Sequence, residues 1–283
     1  MSIEAPNWYV TQYQDRAIQV YQAKGNLLRG MTMEPGRIHA NTVRFMIAGR
    51  GEAVPLVRGS FGPSMNAPRN FVDGVMQSWQ ANDWVFEDDL EKITVNEMEV
   101  VSSTAGKAIG RRSDLIVINE MNGQSLTTIG DGTKPFDLPS ALTGCQVLQK
   151  QMAMWDGGVY CGLPSLFWNQ LLSYRQISDA DWIGYSDLPF TRVTTSKFWN
   201  GVTWFLWPDE YSPSASANTL DFFMWHRESI GYGINYDLRS TVTWENLYSG
   251  WYHNNRFSAT AKTLQPPGML RFRFASNSPI TVN

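Results

Sequence analysis

Three histidines are the first residues of this chain to consider for acid–base or metal chemistry, because imidazole titrates near neutral pH and binds transition metals. They are His39, His226 and His253, and they lie far apart in the sequence. No two of them have the HExxH spacing or another spacing typical of metal ligands. A lone histidine is most often an ordinary surface or core residue, so the pattern does not indicate a catalytic base.

Two carboxylate pairs could provide the general acid and base of a glycosidase. They are Asp179 with Asp181, and Asp209 with Glu210. Neighbouring carboxylates are common in loops, and neither pair is accompanied by other residues of a catalytic site. The chain also has no G-x-S-x-G motif, which would mark a nucleophilic serine.

Two glycine-rich segments superficially resemble nucleotide-binding turns. Gly130–Lys134 reads GDGTK without the P-loop spacing, and Gly231–Gly233 reads GYG without the third glycine of the dinucleotide fingerprint. Both are more typical of simple turns. The sequence therefore predicts no catalytic residue, no bound cofactor and no metal, and the chain is not expected to be an enzyme.

The amino-acid composition limits the classes of protein to which the chain could belong. The 283 residues suggest about two domains, and a hydrophobic content of 43% is enough for a substantial core. A net charge of −3 argues against a surface that binds nucleic acid all over. Cys145 and Cys161 form no CxxC motif and fit a reducing compartment, with one disulfide as the alternative. The start of the chain lacks the features of a secretion signal, and no apolar run approaches the ~18 residues of a membrane span.

A long amphipathic helix is the clearest structural element in the sequence. Apolar residues recur three or four apart from Leu90 to Ile109, and Asp88 with Glu91 fits an N-terminal capping box. Gly110 with the basic residues that follow fits a helix end. A helix over 88–110 would be about 35 Å long at ~1.5 Å per residue. The apolar run 115–118 then predicts a buried strand.

The segments around this helix predict a mixed α/β chain. Alternating residues over 41–47 predict a strand with Val43, Phe45 and Ile47 on one side. After the helix, helices are predicted over 141–155 and 165–174, and strands over 159–161, 202–207, 220–225 and 269–274.

The region 36–80 is rich in glycine and proline but poor in apolar residues, so we expect it to project from the fold. Over 36–72 its charges are five arginines against Glu52 alone, a net +4; over 83–99 seven acids oppose Lys92 alone, a net −6. Complementary charge of this kind favours ordered association of identical copies, although both could be ordinary solvated surfaces. The candidate inter-subunit residues are Arg37, Arg44, Arg50, Arg58, Arg69, Glu87, Asp88, Asp89 and Glu91.

Several stretches, taken in order, resemble tailed-phage major capsid proteins with the Hong-Kong-97-type fold. The stretches that carry this resemblance are Trp8–Tyr13, Gln22–Gly25, Ala108–Ile116, Lys197–Gly201, Met224–Ile230 and Gly268–Phe272. Together they cover roughly residues 8 to 275, and their order and spacing are more specific than any one of them. The chain departs from the family in its unusually aromatic segments at Trp199 and Trp204–Trp207.

The resemblance implies an α+β capsid fold with a defined division of the chain. It implies an N-terminal arm over 1–35, an extended β-hairpin loop over 36–80 that lies on a neighbouring subunit, and a peripheral domain with a long spine helix over 81–112. An axial domain over 113–240 and return strands over 241–283 would complete it.

The function that the resemblance implies is self-assembly of the icosahedral head shell around the double-stranded DNA genome of a tailed phage. The implied partners are identical subunits as hexamers and pentamers, a separate scaffold protein, a portal, a possible decoration protein, and packaged DNA on the inner face without sequence specificity. No membrane is involved. The expected location is the virion capsid, with assembly in the host cytoplasm.

Three alternatives stay open at the level of sequence. An encapsulin-like cellular compartment would use the same fold to hold a protein cargo. The 12 Trp, 11 Tyr and 14 Phe residues, which most simply pack cores and interfaces, could instead form the sugar-stacking platform of a carbohydrate-binding or glycosidase domain. A tail tube subunit would be another structural protein of the virion.

Overall fold

The computed structural model describes residues 24–34, 37–39, 41–55, 58–59, 61–62, 64–87, 97–154, 156–178 and 195–277. Its strands, in chain order, are β1 (Arg37–His39), β2 (Thr42–Ala48), β3 (Arg69–Val75), β4 (Gln77–Gln80), β5 (Asp83–Phe86), β6 (Thr127–Ile129), β7 (Val159–Leu163), β8 (Ser196–Trp199), β9 (Val202–Leu206), β10 (Thr219–His226), β11 (Ile230–Glu245), β12 (Gly250–Thr263) and β13 (Met269–Ala275). Its α-helices are α1 (Glu97–Gly123), α2 (Leu138–Lys150), α3 (Ser165–Leu172) and the single turn α4 (Arg175–Ser178).

The described strands form three sheets. Strands β1, β2 and β3 make a small antiparallel sheet in that order. The largest sheet has six strands in the order β6-β13-β10-β7-β9-β8, with parallel pairs at β13–β6 and β7–β9. The third sheet has the order β11-β12-β4, and β5 also pairs with β12.

Aromatic side chains fill the core beside the six-stranded sheet. Phe222 of β10 lies opposite Phe272 of β13, and their rings stack with centroids 4.8 Å apart. Phe136, which is 1% exposed, meets both rings edge-on. Burial of such large side chains supplies much of the stabilisation of a core, and offset or edge-to-face ring pairs add to it. Four of the described tryptophans, Trp168, Trp204, Trp207 and Trp225, are also buried and contribute to core packing.

The long helix does not end where the sequence pattern predicted. It continues through Gly110 to Gly123, so the predicted strand over 115–118 is wrong. Asp114, Val117, Ile118 and Met121 are all buried, and their spacing of three and four residues places them on one face of a helix. Packing of that face outweighs the strand preference of the β-branched residues around it.

Gly110 has a packing role inside this helix. Its carbonyl accepts a hydrogen bond from the Asn26 amide at 3.2 Å, and a Cβ on Gly110 would collide with the Lys24 carbonyl oxygen. Gly110 is therefore needed because the backbone of the 24–26 segment approaches the helix closely at this point. The sequence pattern had interpreted the same glycine as a helix end. The predicted helix start at Asp88 lies in 88–96, outside the described residues, and most of the predicted N-terminal arm lies in 1–23, also outside them.

The other predicted elements are present with shifted ends. The helix predicted over 141–155 runs over Leu138–Lys150, because Asp137 caps it by accepting the Ser140 amide at 2.9 Å. The helix over 165–174 and the strands over 41–47, 159–161, 202–207, 220–225 and 269–274 are each found within about two residues of the predicted ends. None of the described helices is long and apolar enough to cross a membrane.

The chain divides into two compact units. The first contains Gln77–Ser113 and Ile234–Ala259, together with residues 24–26. The second contains Leu27–Met76, Asp114–Gly233 and the described residues from Thr260 onward. The division into arm, loop, peripheral and axial domains that the resemblance implies stays a prediction.

Candidate functional site

The hairpin of β2 and β3, which we call the loop hairpin, lies in the second unit and carries the candidate site. Val43 and Phe45 are buried on its inner face, where they form a small apolar cluster with Met76 and Leu264. The burial alternates along β2 as the sequence pattern predicted, so the inner face is anchored within its own unit.

A glycine pair in β11 receives this inner face. A Cβ on Gly231 would collide with the Phe45 ring, and one on Gly233 would lie 2.7 Å from Cγ2 of Val43. Only glycine leaves room for side chains to pack directly on the strand backbone. The GYG segment superficially resembled a nucleotide-binding turn. In the structure it is the part of β11 on which the inner face of the loop hairpin packs.

The outer face of the loop hairpin carries exposed apolar residues on either side of a charged cross-strand pair, Arg44 and Asp73. Met46 lies directly opposite Phe71 in the register, and Thr42 lies opposite Val75. The exposed fractions are 68% for Met46, 59% for Phe71 and 60% for Val75. An apolar patch on one face of a hairpin whose other face is already packed is typical of a surface that a partner covers.

Arg44 has a partner within the loop hairpin itself. Its Nε and one terminal nitrogen each donate a hydrogen bond of 2.8 Å to the two carboxylate oxygens of Asp73, the residue opposite it. The guanidinium also lies 4.1 Å from the centre of the Phe71 ring. The hydrogen bonds between the two groups lower the pKa of Asp73 and raise the pKa of Arg44. Arg44 is therefore less available to a neighbouring subunit than the charge pattern suggested.

The other candidate arginines lie along and beyond the two strands. Arg50, Arg58 and Arg69 are exposed, and none of them has an ion pair with the residues that the structure describes. Arg37 lies opposite Arg44 in the register of β1 and β2. Near the tip, Phe61 is fully exposed.

On the acidic side, Glu87 is exposed and belongs to the first unit. Asp88, Asp89 and Glu91 lie outside the described residues. The match between the basic loop and the acidic helix start therefore stays a prediction.

Two of the residues first considered for catalysis have structural contacts in this chain. His253 differs from them, because it is 1% exposed and neither of its ring nitrogens has a hydrogen-bond partner among the residues that the structure describes. Asp209 caps α3 by accepting hydrogen bonds from the amide and the hydroxyl of Ser165, both at 2.6 Å. One ring nitrogen of His226 lies 2.7 Å from the Gly157 carbonyl, and the other accepts the Glu228 amide at 3.3 Å. Among the described residues, no three His, Cys, Asp or Glu side chains cluster in a way that could hold a metal ion. Asp179 and Asp181 lie outside the described residues.

One functional carboxylate was missed by the sequence patterns. Asp114 of α1 is 1% exposed and accepts the amides of Leu27 at 3.1 Å and Leu28 at 3.0 Å, as well as the Tyr211 hydroxyl at 3.1 Å. Burial raises the pKa of Asp114, and the three hydrogen bonds only partly offset that effect. The carboxylate fastens the 27–28 segment to the long helix. The available signal was an isolated acid beside the apolar run 115–118.

The family and the fold follow from comparison with known proteins. A family model described as phage capsid protein matches residues 5–276. No curated protein sequence matches the chain.

Several solved structures share the fold at low sequence identity. The capsid of Ralstonia phage GP4 has a TM-score of 0.73 at 8% identity, covering 99% of both chains. A chain from Mycobacterium phage Che8 has a TM-score of 0.67 at 12% identity, covering 95% of this chain and 98% of that one. The capsid of a native GTA particle has a TM-score of 0.66 at 10% identity, covering 96% and 97%. The predicted Hong-Kong-97-type α+β fold is confirmed.

Proposed function

The chain belongs to the phage capsid protein family, as a major capsid protein of a tailed-phage head shell, and from this premise we propose how its copies join. Identical subunits assemble into the shell of the virion. The contact between copies is made by the outer face of the loop hairpin, which lies on a neighbouring subunit. The observation that carries this assignment is the apolar pair Met46 and Phe71, well over half exposed on a hairpin whose other face is packed.

Charge adds direction to this apolar contact. Arg50, Arg58 and Arg69 extend the exposed cationic surface of the loop hairpin. The acidic helix start of a neighbouring copy, with Glu87, Asp88, Asp89 and Glu91, offers the opposite charge. Complementary charge of this kind selects the register of docking more than it adds affinity. Because Arg44 is already held by Asp73, its part is to shape the loop hairpin.

The role is structural and not catalytic. Many weak and identical contacts close the shell because its geometry lets them form together. The subunits form hexamers and pentamers of an icosahedral shell around double-stranded DNA, after assembly in the host cytoplasm on a separate scaffold protein. A portal is a further partner, and no membrane takes part.

Substitution of the exposed apolar pair tests the proposed contact. Met46→Asp combined with Phe71→Asp places two charges on the outer face, and we expect folded subunits that form no closed particles. Electron microscopy and sedimentation of subunits produced together with the scaffold protein measure assembly, and circular dichroism of the purified subunit checks the fold. The matched control is Met152→Asp, at a methionine that is 66% exposed in the turn after α2. Normal shells from the double variant would contradict the proposal.

The electrostatic part has a separate test. Arg50→Glu with Arg58→Glu is expected to block assembly at low salt while leaving the fold intact, because like charges then face each other. In the unaltered protein, high salt should slow assembly by screening the same attraction. If assembly is insensitive to both changes, the contact is apolar alone.

Analysis of the contents of purified particles then distinguishes packaged DNA from the protein cargo of an encapsulin-like compartment.

A further inference from the structure

One sheet edge of this chain is far longer than the others. In the order β11-β12-β4, β11 is a terminal strand, so it pairs on one side only among the strands that the structure describes. It has 16 residues, whereas the other strands at the described sheet edges have between 3 and 7. Edge strands are usually short or carry lysine or proline, because open N–H and C=O groups pair readily with other chains. We call residues 238–245 of β11, which include neither lysine nor proline, the open edge.

The open edge is accessible to another chain along its whole length. Each of its residues is exposed. Leu238, Val242 and Trp244 are separated by even numbers of residues and therefore share one face of the strand, with exposed fractions of 45%, 45% and 37%. Valine, threonine and tryptophan favour strands, so the composition of the segment also suits sheet pairing. A long, exposed and partly apolar edge is a site of association until a partner strand covers it.

A second copy of this chain is the partner that fits the open edge. Identical subunits build the shell, so the same open edge is present in every copy. A two-fold axis perpendicular to the sheet brings two copies of one strand together in antiparallel directions, and each copy then contributes the same surface. The axis keeps each residue on the same sheet face in both copies, and directly opposite residues also share a face. One residue of the strand must therefore lie on the axis, opposite its own copy.

Ser240 is the residue that best suits the position on the axis. With Ser240 there, Leu238 of each copy lies opposite Val242 of the other, which forms two apolar pairs. Arg239 then lies opposite Thr241 on the other face, so no like charges meet. Every residue from 235 to 245 has a residue opposite it in this register, and the entire open edge is paired.

The two adjacent registers place like charges together. With the axis at Arg239, the two guanidinium groups of the pair would lie opposite each other. With the axis at Thr241, Asp237 would lie opposite Glu245. Like charges directly opposite each other destabilise a sheet, so both registers are disfavoured.

The next registers on either side lose paired length. An axis at Leu238 would place Glu245 opposite Gly231, where the strand already bridges to Met33 of its own chain. An axis at Val242 would shorten the paired segment to 239–245, because β11 ends at Glu245. The register about Ser240 therefore pairs the longest free stretch of the strand without charge repulsion.

We propose that β11 pairs with β11 of a second copy across a two-fold axis at Ser240, which joins the third sheets of two subunits into one continuous sheet. This contact is separate from that of the loop hairpin, because the loop hairpin lies in the second unit and the open edge in the first. The two-fold axis rests on the proposed function, since an icosahedral shell contains such axes. Main-chain hydrogen bonds link the two strands, and the apolar pairs fix their register.

A cysteine on the axis tests this pairing. Ser240→Cys places two thiols opposite each other, and opposite Cα atoms of an antiparallel pair lie about 4.5 or 5.5 Å apart, which a disulfide can bridge. Shells produced together with the scaffold protein are treated with diamide, which oxidises two thiols to a disulfide, and should give mostly cross-linked dimers on a non-reducing denaturing gel. Leu238→Cys with Val242→Cys reports on the same register and should also give dimers. Cys145 and Cys161 are buried, so the unaltered chain provides the monomer baseline.

A matched control separates strand pairing from random collision between thiols. Ser102→Cys lies at an exposed position of α1 in the same unit and should remain monomeric on the gel. The proposal is overturned if shells of Ser240→Cys and of the double variant remain uncross-linked, if the control cross-links equally, or if the new thiol links to a different protein. Dimers from Val242→Cys alone, without dimers from Ser240→Cys, would overturn the register. Failure of the unaltered chain to form shells would refute the proposed function, whereas normal shells without these dimers would refute the strand pairing alone.

Discussion

The six-stranded sheet and the loop hairpin use the same kinds of apolar residue in opposite ways. In the sheet, Phe222 and Phe272 stack on each other and are completely buried within one chain. In the loop hairpin, Phe71 pairs with Met46 across two strands, and both remain mostly exposed. The sheet is complete within a single subunit, whereas the loop hairpin buries one face and leaves the other for a partner. The contrast separates residues that fold the subunit from residues that join subunits.

The largest expected effect comes from truncating the two kinds of phenylalanine. Phe222→Ala removes a fully buried ring from the aromatic core and should lower the free energy of unfolding by about 3–5 kcal/mol. Phe71→Ala removes a ring that is 59% exposed and should change it by no more than about 0.5 kcal/mol, while weakening assembly. Urea denaturation of unassembled protein gives the first quantity, and particle yield gives the second. Equal losses of stability in both variants would erase the distinction between the two regions.

A smaller effect on the free energy of unfolding is expected from substitution of Gly231, on which the loop hairpin packs. Gly231→Ala puts a methyl group into the Phe45 ring and should cost about 1–3 kcal/mol of unfolding free energy through overpacking. The control is Gly106→Ala in α1, where a Cβ meets nothing within 4 Å. That change should stabilise the helix by up to about 1 kcal/mol, because alanine has the higher helix propensity. Thermal unfolding of both variants measures the difference. If Gly231→Ala leaves the free energy of unfolding unchanged, Phe45 does not pack tightly on the backbone of Gly231.

Local patterns predicted the elements of both regions better than their connections. Alternation over 41–47 predicted the buried face of β2, since Val43 and Phe45 point to one side of any strand formed there. The apolar run 115–118 was mistaken for a strand because its burial on one face of a helix depends on tertiary packing; the adjacent Asp114, for example, accepts the amides of Leu27 and Leu28, which are distant in sequence. For the same reason Gly110 was read as a helix end and Gly231 as part of a turn. A glycine needed for close approach has no local signature.

The arginine content of the candidate site was predictable from the sequence, but the ion-pair partners of those arginines were not. The excess of arginine over 36–72 was visible in the sequence, but the partner of Arg44 is Asp73, just beyond that range. Cross-strand pairing depends on the hairpin register, which loop residues of irregular geometry set. Charge counts therefore locate a surface, and the register decides which charges on it are free.

The smallest expected effect tests the charges on the outer face of the loop hairpin. The pKa of Asp73 lies below its ordinary value of 3.8 because Arg44 donates two hydrogen bonds to it. A lowered pKa in the folded state means that the pair adds stability above pH 3.8, and that this contribution is lost as pH falls through the lowered pKa. Arg44→Gln should return the pKa of Asp73 toward 3.8, which carboxyl NMR can follow, with little change in unfolding because exposed pairs contribute little. Assembly should also be nearly unchanged, because Arg44 is paired with Asp73 of its own chain and not with a residue of a neighbouring subunit. If Arg44→Gln instead blocks shell formation as strongly as reversal of Arg50 and Arg58, then Arg44 contacts the neighbouring subunit directly and the internal pair is exchanged for an external one on assembly.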